Sequence, residues 1–354
     1  MRKNHKFFSN LAFNLAENHL GKTHQNPSVG CLIVKDNAVI SSGVTSLKGR
    51  PHAEFNALNK KINFEGADMY VTLEPCSHYG LTPPCTNIIK KKKIKKVFYA
   101  YNDPDKRSYK KAKKILKKRN ISLIKLSTTN NFYKSYFLNK KKDLPLIDAK
   151  LAISKDFYSI NKKKRWITNS RSRKVGQLLR SKYDCIVSTS ETINKDNPLL
   201  NCRIDGFDFN KPDLIIIDRY LKLRKNLKLL KIAKKRKTYI FTMSQNNREL
   251  NYFRNKGCKI INIKKLSKKN DFNQLIKKIF KIGKRRVLVE SGLVFLNELI
   301  KFRCVNNFFI FRSNKKLMKN GFNNTINNRI KKYKYDKSIN VNLIDDKLFK
   351  IRVN

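Results

Sequence analysis

Four side chains have the types and the order for metal-assisted hydrolysis. They are His52 and Glu54 in PHAE (51–54), and Cys76 and Cys85 in TLEPCSHYGLTPPC (72–85). Thiolate sulfur and imidazole nitrogen suit zinc, and a catalytic zinc keeps three protein ligands with a fourth position for water. His52, Cys76 and Cys85 supply such a set. Zinc brings the pKa of its water to about 7, and a carboxylate must then carry the proton to the leaving group. Glu54 is the candidate for that part. Residues i and i+2 do not share a face inside a helix, so His52 and Glu54 can cooperate only where a helix begins. Cys85 opens a predicted helix behind Pro84, where the dipole favours a thiolate. His78 is a rival ligand that ranks below His52, and Cys31 in SVGCLIV reads as a buried strand residue. A disulfide is disfavoured, because seven scattered cysteines make no secreted framework.

The elements that must position these groups follow from the apolar pattern. A helix is expected over 7–20, then a hairpin of SVGCLIV and AVISSGV turning at Lys35, Asp36 and Asn37. A short helix from His52 to Lys60, a strand ADMYVTLEP, a helix from Cys85 to Lys93, a strand KKVFYAY, a helix from Tyr109 to Lys118 and a strand ISLIKL complete an alternating α/β domain over 1–127. The pattern weakens between TTNN and NKKKDLP, so 128–145 reads as a linker. Strands and helices then alternate again over 146–354. Strands are expected in PLIDAKLAIS, DCIVST, DLIIID, KTYIFT, CKIINI, RRVLVES and NFFIF, and helices over 170–182, 271–282 and 294–301. This half has no G-x-G-x-x-G, so no Rossmann fingerprint is offered.

Composition sets the outer limits. A chain of 354 residues suits two domains. The start carries Glu17 and no uninterrupted apolar stretch, so it does not read as a signal peptide. No apolar run approaches the roughly 18–20 residues of a membrane span, and the expected location is the cytoplasm. The net charge of +56 would suit a phosphate-rich partner. The lysines run along the whole chain, however, and Lys, Asn, Ile, Phe and Tyr are all abundant, as A/T-rich codons would make them. Basic footprints usually cluster, so nucleic-acid binding is not expected, but self-repulsion at low salt is.

The order H-x-E, then Pro-Cys closing a strand, then Cys opening a helix, is the zinc nucleobase-deaminase signature. That signature usually ends P-C-x-x-C, whereas eight residues separate Cys76 from Cys85 here. With QNPSVGCLIV upstream and PHAE between, the first domain closely resembles the bifunctional deaminase/reductase family of riboflavin biosynthesis. The resemblance implies a cytidine-deaminase-like α/β/α domain followed by a dihydrofolate-reductase-like α/β domain that uses NADPH. It implies zinc on His52, Cys76 and Cys85, Glu54 as proton shuttle, and Asn26 on the substrate. That substrate would be a phosphoribosylamino-diaminopyrimidinone, which loses its ring 2-amino group as ammonia before its ribosyl group is reduced to ribityl.

In the second half DAKLAIS (148–154), RWIT (165–168), QLLRSKYDCIVSTSETINKDNPLLNCR (177–203) and VLVESG (287–292) carry the resemblance. It implies cofactor contacts at Ala152, Trp166, Thr192, Asp196 and Gly292. It implies substrate contacts at Arg180, Leu200, Arg203 and Glu290, with Lys150 and Lys164 nearby. Arginine suits a sugar phosphate bidentately. Two positions depart from the family pattern: Phe157 stands where S-L-D-G has glycine, and Lys164 where the family has serine. The family often forms homo-oligomers. Two other readings stay open: a deaminase whose reductase half has decayed, and a nucleic-acid deaminase, which explains the charge but not the cysteine spacing.

Overall fold

The computed structural model describes residues 4–128, 130–208, 211–325, 330, 333 and 337–353, in two units, Met1–Asp143 and Leu144–Asn354. The first contains α1 (His5–Glu17), β1 (Gly30–Lys35), β2 (Ala38–Val44), α2 (Ala53–Leu58), β3 (Asp68–Leu73), α3 (Cys85–Lys91), β4 (Lys96–Tyr101), α4 (Ala112–Lys117), β5 (Ser122–Lys125) and α5 (Lys134–Lys142). Its sheet runs β2-β1-β3-β4-β5. β1 is antiparallel to β2 and β3, and β3, β4 and β5 are parallel. Asp36 and Asn37 both take left-handed backbone (φ 51° and 63°), as a two-residue hairpin turn requires. β3 is buried along its whole length, which is why DMYVTL reads as a run rather than an alternation.

Gly43 fixes the height of α2 above this sheet. A Cβ there would lie 2.4 Å from the Ala53 carbonyl oxygen and 2.5 Å from the Ala57 nitrogen. The helix therefore rests directly on β2, where any other residue would lift it.

Half of the expected linker over 128–145 is a helix, α5. α5 presents an aromatic face to the first unit, where Tyr133 and Tyr136 are buried in the core and Phe137 packs against it. The Tyr133 hydroxyl reaches the Ser28 carbonyl at 3.0 Å and Thr72 Oγ1 at 2.6 Å. Its lysine-rich outer face hid the helix from a reading of apolar periodicity.

The second unit contains β6 (Leu146–Ile153), β7 (Tyr158–Asn161), α6 (Ser170–Ser181), β8 (Cys185–Thr189), α7 (Ser190–Asp196), β9 (Asp213–Ile217), α8 (Lys228–Lys231), β10 (Thr238–Thr242), α9 (Asn247–Asn255) and β11 (Cys258–Asn262). α10 (Lys269–Lys281), β12 (Arg286–Val289), α11 (Leu293–Lys301), β13 (Asn307–Arg312), β14 (Gly321–Asn324) and β15 (Lys347–Arg352) follow. The main sheet runs β11-β10-β9-β8-β12-β6-β13-β15, and β7 pairs with β14 alone. Every pairing in the main sheet is parallel except β13 with β15. Its core joins Val187, Ile215, Val287, Val289 and Phe308 to Phe272 and Ile276 of α10 and Leu296 of α11.

Many of the acids face inward and hold backbone. Glu74, Asp148, Asp156, Asp184, Asp218 and Asp346 each accept main-chain N–H groups. Among the described residues, no helix is long and apolar enough to cross a membrane.

Candidate active sites

His52 is the cap residue before α2, in extended backbone (φ −72°, ψ 161°), and Glu54 is the second residue of that helix. The pair straddles a helix start, the one arrangement in which i and i+2 can serve one point. Cys76 lies past the end of β3, and Cys85 is the first residue of α3. His52 Nδ1 lies 3.6 Å from Cys76 Sγ and 3.5 Å from Cys85 Sγ, and the three ligand atoms all fall within 4.8 Å of one another. The Cys85 N–H donates to Cys76 Sγ at 3.2 Å. Two sulfurs and one nitrogen converging in this way fit zinc and leave one direction open.

The electrostatics agree. Hydrogen bonding from the Cys85 thiol, aided by His52, outweighs burial and brings the Cys76 thiol down to about 4. Burial, then the charge on Cys76, pushes the Glu54 carboxyl up to about 7. A carboxyl at that value can both take and give a proton near neutrality. The rival His78 is outside the cluster, with Nδ1 bonded to Ser108 Oγ at 2.7 Å. Asn26 donates its amide to the Gly49 carbonyl at 2.9 Å, three residues before His52. Cys31 is fully buried in β1. Sequence reasoning passed over Glu74, Ser77 and Thr86, beside the two cysteines. Glu74 Oε1, Ser77 Oγ and Thr86 Oγ1 are buried with no partner among the described residues, so the surroundings of the ligands are polar.

In the second unit four of the expected residues meet. Glu290 follows β12, and Arg180 of α6 grips it with Nε at 2.7 Å and Nη2 at 3.0 Å. Lys150 of β6 brings Nζ to 3.8 Å from Glu290. Arg180 Nη1 also donates to the Asn201 carbonyl at 3.0 Å, and Arg203 Nη1 to Asn201 Oδ1 at 3.4 Å. Burial pushes the Glu290 carboxyl up, but Arg180 and Lys150 outweigh it and hold it at about 2. Burial, and then repulsion from Arg180 and Arg165, pulls Arg203 down. Cations crowded around one carboxylate favour a further anion. Leu200, an expected substrate contact, has its side chain buried in the core with Leu214 and Leu230, which leaves its backbone to face the site.

Thr192 Oγ1 accepts the Gly292 N–H at 3.0 Å and lies 3.0 Å from Thr189 Oγ1, which joins the starts of α7 and α11. Gly292 caps α11 with no side chain, which leaves first-turn N–H groups for an anion. The Asp196 carbonyl at the end of α7 accepts Arg165 Nη2 at 3.0 Å. Trp166 is 52% exposed, and the guanidinium carbons of Arg165 and Arg173 stand 4.9 and 5.0 Å from its ring centroid. Neither arginine was among the residues expected at the site. Ala152 lies in β6 against the Phe309 and Phe311 cluster. Lys164 is exposed, and its backbone N–H donates to Asn161 Oδ1. Neither shares a hydrogen bond with the other expected residues.

The departure at Phe157 leaves the turn intact. Phe157 adopts the left-handed φ of 67° that glycine would take freely. Its ring lies under the Arg312 guanidinium at 4.7 Å, and its carbonyl accepts both the N–H and the hydroxyl of Thr325. These contacts offset a backbone cost of roughly 1–2 kcal/mol.

Residues 2–101 match the family model of the cytidine and deoxycytidylate deaminase zinc-binding region, and residues 145–315 match the RibD C-terminal domain. The chain is 32% identical over 325 residues to the riboflavin biosynthesis protein RibD of Buchnera aphidicola, covering 86% of each. It is 31% identical over 290 residues to that of Actinobacillus pleuropneumoniae, covering 79% of this chain and 76% of the relative. A solved diaminohydroxyphosphoribosylaminopyrimidine deaminase/5-amino-6-(5-phosphoribosylamino)uracil reductase from Thermotoga maritima superposes with a TM-score of 0.83 at 25% identity, over 98% of both chains. A zinc-type deaminase half followed by a reductase half, with relatives that cover 79% and 86% of its length, places the chain in the RibD family of riboflavin biosynthesis.

Proposed function

We propose that the chain catalyses two consecutive steps of riboflavin biosynthesis. It deaminates 2,5-diamino-6-(5-phosphoribosylamino)pyrimidin-4(3H)-one hydrolytically, then reduces the product's ribosyl group to ribityl. The observation that carries this reading is the convergence of His52 Nδ1 and the two thiol sulfurs within 4.8 Å, beside a buried Glu54. Bound zinc supplies a Lewis acid to the first step, and bound NADPH a hydride to the second.

In the first unit His52, Cys76 and Cys85 are the zinc ligands. Glu54 takes a proton from the attacking water and returns it to the departing amine, so water enters and ammonia leaves. The rise of its carboxyl to about 7 supports both halves of that transfer. Asn26 orients the pyrimidine. In the second unit Arg180, Arg203 and Lys150 receive the substrate's phosphoribosyl side around Glu290. The loop carrying Leu200 contributes backbone, and Lys164 stands at the exposed rim. Trp166, Thr192, Asp196, Gly292 and Ala152 line the cofactor's side. The uncapped start of α11 suits a cofactor phosphate.

Ammonia release and NADPH oxidation, followed separately on zinc-loaded protein with the pyrimidine phosphate, test both halves. Both signals are expected. Ammonia without NADPH oxidation would mean that the reductase half is inactive. RNA deamination with neither signal would overturn the reading.

A further inference from the structure

Arg236 lies just before β10 and is 2% exposed, the largest fully buried side chain among the described residues. All three arms of its guanidinium donate to main-chain carbonyls: Nε to Pro212 at 2.7 Å, Nη1 to Leu199 at 2.5 Å and Nη2 to Leu200 at 2.6 Å. No carboxylate within salt-bridge distance of it is found among the described residues. The nearby Asp213 is bonded instead to Lys211 and Lys284. A buried guanidinium without an acid is costly wherever packing alone would serve. Here it meets a local need. Leu200 is left-handed (φ 52°), and the carbonyls on both sides of its Cα turn to one fork. Such a backbone persists only when its surroundings over-determine it.

The same loop is gripped from its other side. Arg180 holds the Asn201 carbonyl, Gln177 Oε1 accepts the Arg203 N–H at 2.6 Å, and the Gln177 carbonyl accepts the Cys202 thiol at 3.4 Å. Residues 199–203 are thus clamped between Arg236 and α6, and Arg203 projects from the clamped segment.

We infer that Arg236 is a positioning residue for the reductase step: through the Leu199 and Leu200 carbonyls it sets the loop that presents Arg203, and Arg180 with it, to the phosphorylated substrate. This rests on reading that loop as part of the substrate site. The three bonds leave three separate nitrogens fixed in one plane, whereas a lysine ammonium donates all its hydrogens from one point and cannot span the same three carbonyls.

Arg236→Met and Arg236→Lys, made in the full zinc-loaded chain, test the inference, with Arg203→Met as the reference. The readouts are KM and kcat of the reductase step, NADPH affinity by fluorescence titration, and the deamination rate. Arg236→Met should raise KM for the pyrimidine phosphate about tenfold or more, with a smaller change in kcat. NADPH affinity should stay within about threefold and deamination should be unaffected, with Arg236→Lys falling between wild type and Arg236→Met. If Arg236→Met does not fold, Arg236→Lys decides by the same readouts. An unchanged KM in the folded Arg236 variant, or NADPH affinity lost in step with substrate affinity, overturns the positioning role. An unchanged KM in Arg203→Met would instead overturn the reading of the loop.

Discussion

Glu290→Gln isolates one charge in the second unit. The amide keeps the shape of the carboxylate and one acceptor, but it leaves Arg180 and Lys150 with no counter-charge at 2.7 and 3.8 Å. The Arg180 and Glu290 side chains are only 14% and 11% exposed, so solvent screens the pair little. The carboxyl sits at about 2 against its ordinary 4.5. By linkage that fall is worth about 3 kcal/mol at neutral pH, close to the roughly 3–5 kcal/mol of breaking a buried pair from one side. For a unit of roughly 200 residues this lowers Tm by about 6–12 °C. A carboxyl held below its ordinary value stabilises the fold above that value and loses its contribution as pH falls towards the folded one. The gap between wild type and variant should therefore be full above about pH 4.5 and shrink to about half or less by pH 3. Calorimetry of both proteins at pH 7 and pH 3 reads it. A gap under about 1 kcal/mol at pH 7, or one that does not narrow in acid, would refute the assignment of this charge to the cluster.

Glu54→Gln should cut ammonia release by about 10²–10⁴-fold while zinc stays bound at one per chain by elemental analysis; loss of the metal would make Glu54 a structural residue instead. Cys76→Ser should lose both zinc and ammonia release but still oxidise NADPH when given the deaminated pyrimidine, and a protein that still deaminates would remove Cys76 from the ligand set. Gly43→Ala forces α2 off β2 and should slow deamination about tenfold or more, with NADPH oxidation unchanged, since small misplacements of reacting groups cost about that much or more; an unaltered rate would show that the height of α2 is not critical. Raising ionic strength from about 0.01 to 0.15 M shortens the Debye length from roughly 30 to 8 Å and should raise Tm in thermal melts, whereas a flat response would mean that self-repulsion does not weaken the fold.

The metal-binding cluster was legible because its parts announce themselves separately: a histidine at a helix start, a strand closed by Pro-Cys and a cysteine after Pro84. The central strands were legible because β3 and β9 are buried on both faces and read as runs such as DMYVTL and DLIII. Weak periodicity hid α5, β7 and α7. α7 has seven residues and only Ile193 fully buried, and its Thr189 cap is visible only once the Thr192 N–H is seen to donate to it. Residues that meet from far apart left no local trace. Arg180 and Glu290 each suggested a hand on the substrate, but their grip on one another spans 110 positions. Asn169, the cap of α6, is held by Asp346 across 177. Arg236 sits in KKRK, where charge is ordinarily the mark of a solvated face, and only its three carbonyl partners reveal it.

The inward acids divide the chain into positions free to vary and positions that are not. The 81 basic residues outnumber the acids by more than three to one, yet Asp156, Asp184, Asp218 and Glu74 each hold two main-chain N–H groups. An exposed acid can give way to lysine at little cost, because surface pairs contribute about 1 kcal/mol or less. An acid that accepts two main-chain amides cannot so easily, since each donor orphaned away from water costs about 1–3 kcal/mol. A drifting composition can therefore recolour the exterior while these few carboxylates keep the loops closed. The same division marks out a charge-neutral redesign: glutamine in place of outward lysines, with every amide-holding acid left alone.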